Sequence, residues 1–150
     1  VEAIDGAEQH NPRAAIEVQR DGGAPRDLRR GESLPRRQVV LDDRYGPDYG
    51  ARAGDDLDLY EAHGVIHPAV WPALANQVFS RDLVRGPWIH TRSTVRHHGI
   101  AHRGDVVDVV GTVIDRFERG GARAVVDLRI ELEGHPIVTI EHEAIIELPA

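Results

Sequence analysis

From Asp105 to Leu148 the chain reads as three long segments rich in β-branched residues, separated by two short turns. This feature limits the fold more than any other. Asp105 to Phe117 (DVVDVVGTVIDRF), Ala122 to Glu131 (ARAVVDLRIE) and Ile137 to Leu148 (IVTIEHEAIIEL) place valine and isoleucine at strand spacing. The turns, Glu118 to Gly121 (ERGG) and Glu133 to Pro136 (EGHP), have hairpin length and composition. Consecutive strands joined by hairpins form an antiparallel meander. A further strand is expected from Trp88 to His97, with Ile89, Thr91, Ser93 and Val95 on one face. Another is expected from Leu34 to Leu41, built on Val39, Val40 and Leu41.

A sheet with an apolar face needs a cover, and the chain offers one helix, expected over about 68–84. His67-Pro68 opens it, because proline at the first helical position has a suitable φ and loses only an unused donor. Ala69, Val70, Ala73, Leu74, Ala75, Val78, Phe79, Leu83 and Val84 surround the axis, so burial on all sides is expected. Pro72 should kink or tighten the first turn, and Gly86-Pro87 ends the helix. The fold class is α+β: an antiparallel sheet of about five or six strands wrapped around one long buried helix. Its long edges suggest pairing with a second copy.

The rest of the chain is less regular. Asp42 or Asp43 suits the cap of a short helical turn reaching Tyr45 and Tyr49. Gly46 and Pro47 argue against regular structure there, and Ala51 to Asp58 reads as a loop. Residues 1–27 read as an extension or edge element, with turn signals at Asn11-Pro12 and Asp21-Gly22-Gly23 and a short strand over Ala14 to Val18. Residues 28–150 form the main domain. Arg26, Arg29, Arg30, Arg36 and Arg37 sit among acids and prolines and read as a solvated segment.

Composition removes several classes of function. The 150 residues suit one domain. A net charge of −7 gives nucleic-acid binding no electrostatic support. There is no cysteine, hence no disulfide, thiolate nucleophile or cysteine zinc site. No apolar run is long enough to span a membrane, and no signal-peptide pattern is present, so a cytoplasmic location is expected.

The chemistry concentrates between Gly54 and Asn76. Asp55, Asp56 and Asp58 lie in a polar stretch, followed by Tyr60, His63 and His67 just before the helix. A carboxylate paired with an imidazole can move a proton near neutral pH. Tyr60 is a poor base but a competent hydrogen-bond donor, and packing is its commoner use. His63 and His67 are four apart, a spacing that also suits a metal. Gly64 and Pro68 work against a shared helical face, however, and no metal is expected. Asn76 is an amide in an apolar helix and must bond to something, either the sheet backbone or a substrate. His97, His98 and His102 read as solvent-facing, and Trp71 and Trp88 as packing residues.

Several of these segments, in this order, resemble the MaoC-like dehydratase and (R)-specific enoyl-CoA hydratase family of hot-dog proteins, over roughly 28–148. Gly31-Glu32-Ser33-Leu34 and the Val39 strand resemble its opening strand. Ala53-Gly54-Asp55 resembles its Ser-Gly-Asp motif, Gly64-Val65-Ile66-His67 the approach to its central helix, and Arg103-Gly104-Asp105 a strand start. The resemblance implies hydration of an enoyl thioester or its reverse, with acyl-CoA as substrate and no cofactor. It also implies a homodimer or a hetero-oligomer of hot-dog subunits. Asp55 falls on the family's water-holding Asp. The position of the partner His is occupied by Tyr60, so His63 or His67 would assist. The family's Gly with its carbonyl-polarising N–H corresponds to Pro68, which has none, leaving Ala69 or Val70 to face the carbonyl. Asn76 falls where some members carry a polar residue near the substrate. The resemblance also allows a non-catalytic subunit that shapes a partner's acyl tunnel, or a thioesterase with Asp55 as base.

Overall fold

The computed structural model describes residues 27–150. The readings over Ala14 to Val18 and the turns before it and after it lie outside them. Among the described residues, five strands form one sheet in the order β1-β3-β4-β5-β2. The strands are β1 (Arg37–Val40), β2 (Ile89–His97), β3 (Val106–Glu118), β4 (Ala122–Leu132) and β5 (His135–Glu147). Every pairing is antiparallel, and β3, β4 and β5 form the expected meander. The second hairpin turns through Glu133 and Gly134, both at positive φ (51° and 79°), as a two-residue connection between right-twisted strands requires.

Alternation along these strands defines the core face. Val107, Val109 and Val113 of β3, Ala124, Val126, Leu128 and Ile130 of β4, and Val138, Ile140, Ala144 and Ile146 of β5 are all buried in one cluster. Each large apolar side chain buried this way is worth about 1.5–3 kcal/mol.

Helix α3 (Val70–Asp82) supplies the other half of the core. It is shorter than the expected span, and Pro68 and Ala69 form a turn ahead of it. Pro72 is its third residue, so the missing N–H is one of the first four, which have no partner within the helix. That explains why two prolines are tolerated so close together. The burial corrects a second expectation. Val70, Trp71, Leu74, Ala75, Val78, Phe79 and Asp82 form one buried stripe, whereas Ala73, Asn76 and Gln77 opposite are only half covered. Alanine at several positions made the helix look apolar all round, yet one face carries the large side chains.

The stretch read as irregular holds two short helices, α1 (Pro47–Ala53) and α2 (Asp58–Ala62). Asp42 caps a single 3-10 turn, Asp43–Tyr45, by accepting the Arg44 N–H. Pro47 then begins α1 instead of preventing it, being pre-set for the first helical position. Gly54 closes α1 in the left-handed conformation (φ 74°), where a side chain is costly.

The arginine group also needs correction. Arg37 is not solvated: its guanidinium is paired with Asp82 at the end of α3, and both side chains are largely buried. This pair ties the edge strand β1 to the helix. Arg36 does face solvent, paired with Asp108 at 3.0 Å.

Candidate active site

Three backbone contacts deliver His67 to its position. Ile66 N–H donates to Ala101 C=O (2.9 Å), His67 N–H donates to Tyr45 C=O (3.3 Å), and Val65 forms an isolated bridge with His102. The segment before α3 is thereby held between the 3-10 turn and the loop preceding β3. From there the His67 ring, 8% exposed, lies between two tyrosines, with ring centroids 5.3 Å from Tyr49 and 4.8 Å from Tyr60.

The hydrogen bonds fix the tautomer of the neutral ring. Ala69 N–H donates to Nδ1 at 3.2 Å, so Nδ1 carries no proton. The ring proton is on Nε2, which lies 3.1 Å from Asp55 Oδ2. His67 therefore donates to Asp55. The other carboxylate oxygen, Oδ1, accepts the Leu57 N–H at 3.3 Å. Tyr60 also stands against this carboxylate. Burial, the Asp55 charge and a hydrogen bond to it raise the phenol above its usual range and keep it an O–H donor. Asp55 thus sits as a shared acceptor at the wall of an open cleft of about 290 Å³, lined by Pro47, Ala51, Asp56, Leu57, Tyr60 and Glu61 among others.

The structure thus brings together Asp55, Tyr60 and His67 and leaves His63 out. His63 ends α2 at the surface, exposed and without a bond to Asp55. Ala69 and Val70 lie at the start of α3 as expected, but both N–H groups are engaged: Ala69 with His67 Nδ1, Val70 with His67 C=O at 3.0 Å. Among the described residues, no three of His, Asp and Glu are placed to hold a metal ion together.

Asn76 belongs elsewhere, in a polar cluster that the sequence reading did not assemble. Its Oδ1 accepts from His142 Nε2 at 3.0 Å. His142 Nδ1 lies 2.7 Å from Ser93 Oγ, which lies 2.8 Å from His90 Nε2. The proton order follows from Asn76: His142 donates through Nε2, Ser93 donates to Nδ1, and His90 donates to Ser93. His142 is fully buried, packed edge-on by Phe79 and stacked on His90 at 4.3 Å. Burial first, then the neighbouring His90, pushes it down to about 3. Such an imidazole is too weak a base to activate Ser93, whose oxygen already accepts from His90. The cluster is a satisfied structural network. One signal pointed to it: His142 interrupts the inward series Val138, Ile140, Ala144, Ile146. The face assignment on β2 obscured it. A bulge between His90 and Arg92 puts His90 and Ser93 on the core side and turns Thr91 to the other, where its hydroxyl bonds Glu143.

The helix laid on one face of an antiparallel five-stranded sheet is the hot-dog fold. Solved structures of that class match the chain closely in shape. The (R)-hydratase PhaJ1 from Pseudomonas aeruginosa matches with a TM-score of 0.69 at 18% identity, covering 81% of this chain and 84% of its own. A chain of the ChsH1-ChsH2 complex from Mycobacterium tuberculosis matches with a TM-score of 0.66 at 15% identity, covering 79% and 98%. The MaoC-like dehydratase from Rhodospirillum rubrum matches with a TM-score of 0.65 at 11% identity, covering 83% and 97%. No protein-family model matches the sequence, and no curated protein matches it. At these identities the likeness establishes the fold alone.

Proposed function

We propose that this chain acts on an acyl thioester, adding water to an enoyl thioester or removing it, with acyl-CoA as the carrier. The observation that carries this reading is the Asp55–His67 pair, 3.1 Å apart, with Asp55 at the wall of an open cleft and His67 buried behind it. Asp55 holds the attacking water and takes a proton from it as the oxygen bonds to C3 of the enoyl group. The double-bond electrons move into the thioester carbonyl, and the proton passes from Asp55 to C2. His67 keeps its Nε2 proton throughout and orients the carboxylate. A developing enolate needs a donor. Pro68 has no N–H, and those of Ala69 and Val70 are engaged by His67. We assign that donor to the Tyr60 hydroxyl, which turns its one O–H from Asp55 to the carbonyl oxygen when the thioester binds and leaves Asp55 held by His67 and the Leu57 N–H.

A second reading rests on the same missing donors: a subunit that does not itself catalyse, pairs with an active hot-dog partner and shapes its acyl tunnel. A solved complex of two differently named chains among the structural neighbours supports it. The purified protein, assayed with crotonyl-CoA and longer enoyl-CoA chains, separates the two. Turnover by the protein alone supports the hydratase. No turnover at any chain length, with activity appearing only when a second hot-dog subunit is added, overturns it. Release of free thiol instead of hydration indicates a thioesterase.

A further inference from the structure

Gly50 lies in the middle of α1, where nothing about the backbone demands glycine: it is the fourth residue of a seven-residue helix and has no left-handed φ. Glycine inside a helix is disfavoured relative to alanine. What surrounds it accounts for its presence. A Cβ at this position would lie 3.1 Å from the Asp55 carbonyl oxygen, 3.4 Å from the Tyr60 ring and 3.8 Å from the His67 ring. All three residues of the candidate site therefore converge on one missing side chain. The Gly50 carbonyl also accepts the Asp55 N–H at 2.9 Å.

We infer that Gly50 is a positioning residue that sets the Asp55–His67 alignment by letting α1 close onto the site backbone. The inference rests on the hydratase reading for its kinetic consequence but not for its structural one. The Asp55 carbonyl is backbone and cannot swing away as a side-chain end can. A methyl group there has to move Asp55, Tyr60 or α1 itself by a few tenths of an ångström. Proton transfer through short hydrogen bonds is sensitive to displacements of that size.

The test is Gly50→Ala in the full chain, with Asp48→Glu, an exposed change on the same helix, as control. Two readouts are needed. In wild type, ¹⁵N spectra of the imidazoles should show His67 as a fixed tautomer, protonated on Nε2 and bare on Nδ1. In Gly50→Ala the two ¹⁵N shifts of His67 should move toward each other, while the thermal midpoint stays at or above that of wild type. Turnover of enoyl-CoA should fall at least tenfold through kcat, with KM little changed and the pH profile displaced. Asp48→Glu should change none of these. A Gly50→Ala protein with wild-type His67 shifts overturns the proposal. So does one that fails to fold, since the position would then be a structural requirement only. If the wild type turns over no thioester, the hydratase reading fails by itself and the His67 spectrum still decides the role of Gly50.

Discussion

In the proposed reaction Asp55, Tyr60 and His67 have different roles, and their substitutions should separate. Asp55→Asn keeps the shape of the side chain but removes the proton acceptor, and enoyl-CoA hydration should become undetectable in a coupled absorbance assay. Full activity in that variant would remove Asp55 from the mechanism. Tyr60→Phe keeps the ring against His67 and deletes the donor, so kcat should fall about 10²-fold, as for loss of one oxyanion donor. An unchanged kcat would place the carbonyl donor elsewhere. At this scale the sequence was informative about residue types and less so about partners. Asp55 was singled out by its motif position, with Tyr60 where a partner His would stand. That His67 and not His63 lies beside Asp55 was not legible. It depends on the backbone bonds of residues 65–67 to Tyr45 and Ala101, contacts between segments far apart in the chain. The engagement of the Ala69 N–H by His67 was equally hidden, because it is a ring orientation and not a spacing.

The long elements were read well because they bury one side and their period shows it. Valine and isoleucine alternation gave β3, β4 and β5, and the two turns gave the connections. The short helices α1 and α2 were missed because five to seven residues carry too little periodicity, and Gly46-Pro47 looks like a break until its role as a helix start is seen. The core between α3 and the sheet should be intolerant of added or removed volume. Leu74, 1% exposed on the buried stripe, should cost about 2–5 kcal/mol as Leu74→Ala, read by urea denaturation. Gly111 on β3 is the opposite case. A Cβ there would lie 2.6 Å from Leu128 Cδ2 and 3.2 Å from Leu34 Cδ1. Gly111→Ala should therefore destabilise by about 1–3 kcal/mol through overpacking. A neutral result would mean that Leu128 has another rotamer available.

For the molecule as a whole, the buried His142 links stability to acidity. Its folded pKa is about 3, below the usual 6.5 or so of an unfolded histidine. Between those values the unfolded chain takes up a proton that the folded chain refuses. The stabilisation is therefore complete above about pH 6.5 and is lost as the pH falls, by roughly 1.4 kcal/mol per pH unit from this group. Urea titrations at pH 7, 6 and 5 should show the loss steepening toward that limiting slope as the pH drops below about 6.5, and His142→Leu should flatten it even though the variant is less stable at pH 7. The same slope in both proteins would assign the acid sensitivity to other groups. Arg37 makes a related point about the limits of composition. Five arginines near one another looked alike as text, and only the fold distinguishes Arg37, joined to Asp82 across the end of α3, from Arg36 at the surface. No described helix is long and apolar enough to cross a membrane.

The bulge in β2 has a consequence for how much the length of this segment matters. His90 faces Ala144, Arg92 faces Glu143 and Ser93 faces His142, so Thr91 is the one residue without a counterpart across the ladder. Removing it would leave the neighbours on either side opposite the same partners, in plain alternation. A strand usually suffers more from losing a residue than from exchanging one, because every side chain beyond the gap changes face. Here the order should reverse. A chain lacking Thr91 keeps the Ser93–His142–Asn76 contacts and gives up only the two bonds of the Thr91 hydroxyl to Glu143. The same-length exchange Ser93→Val strands a buried imidazole nitrogen.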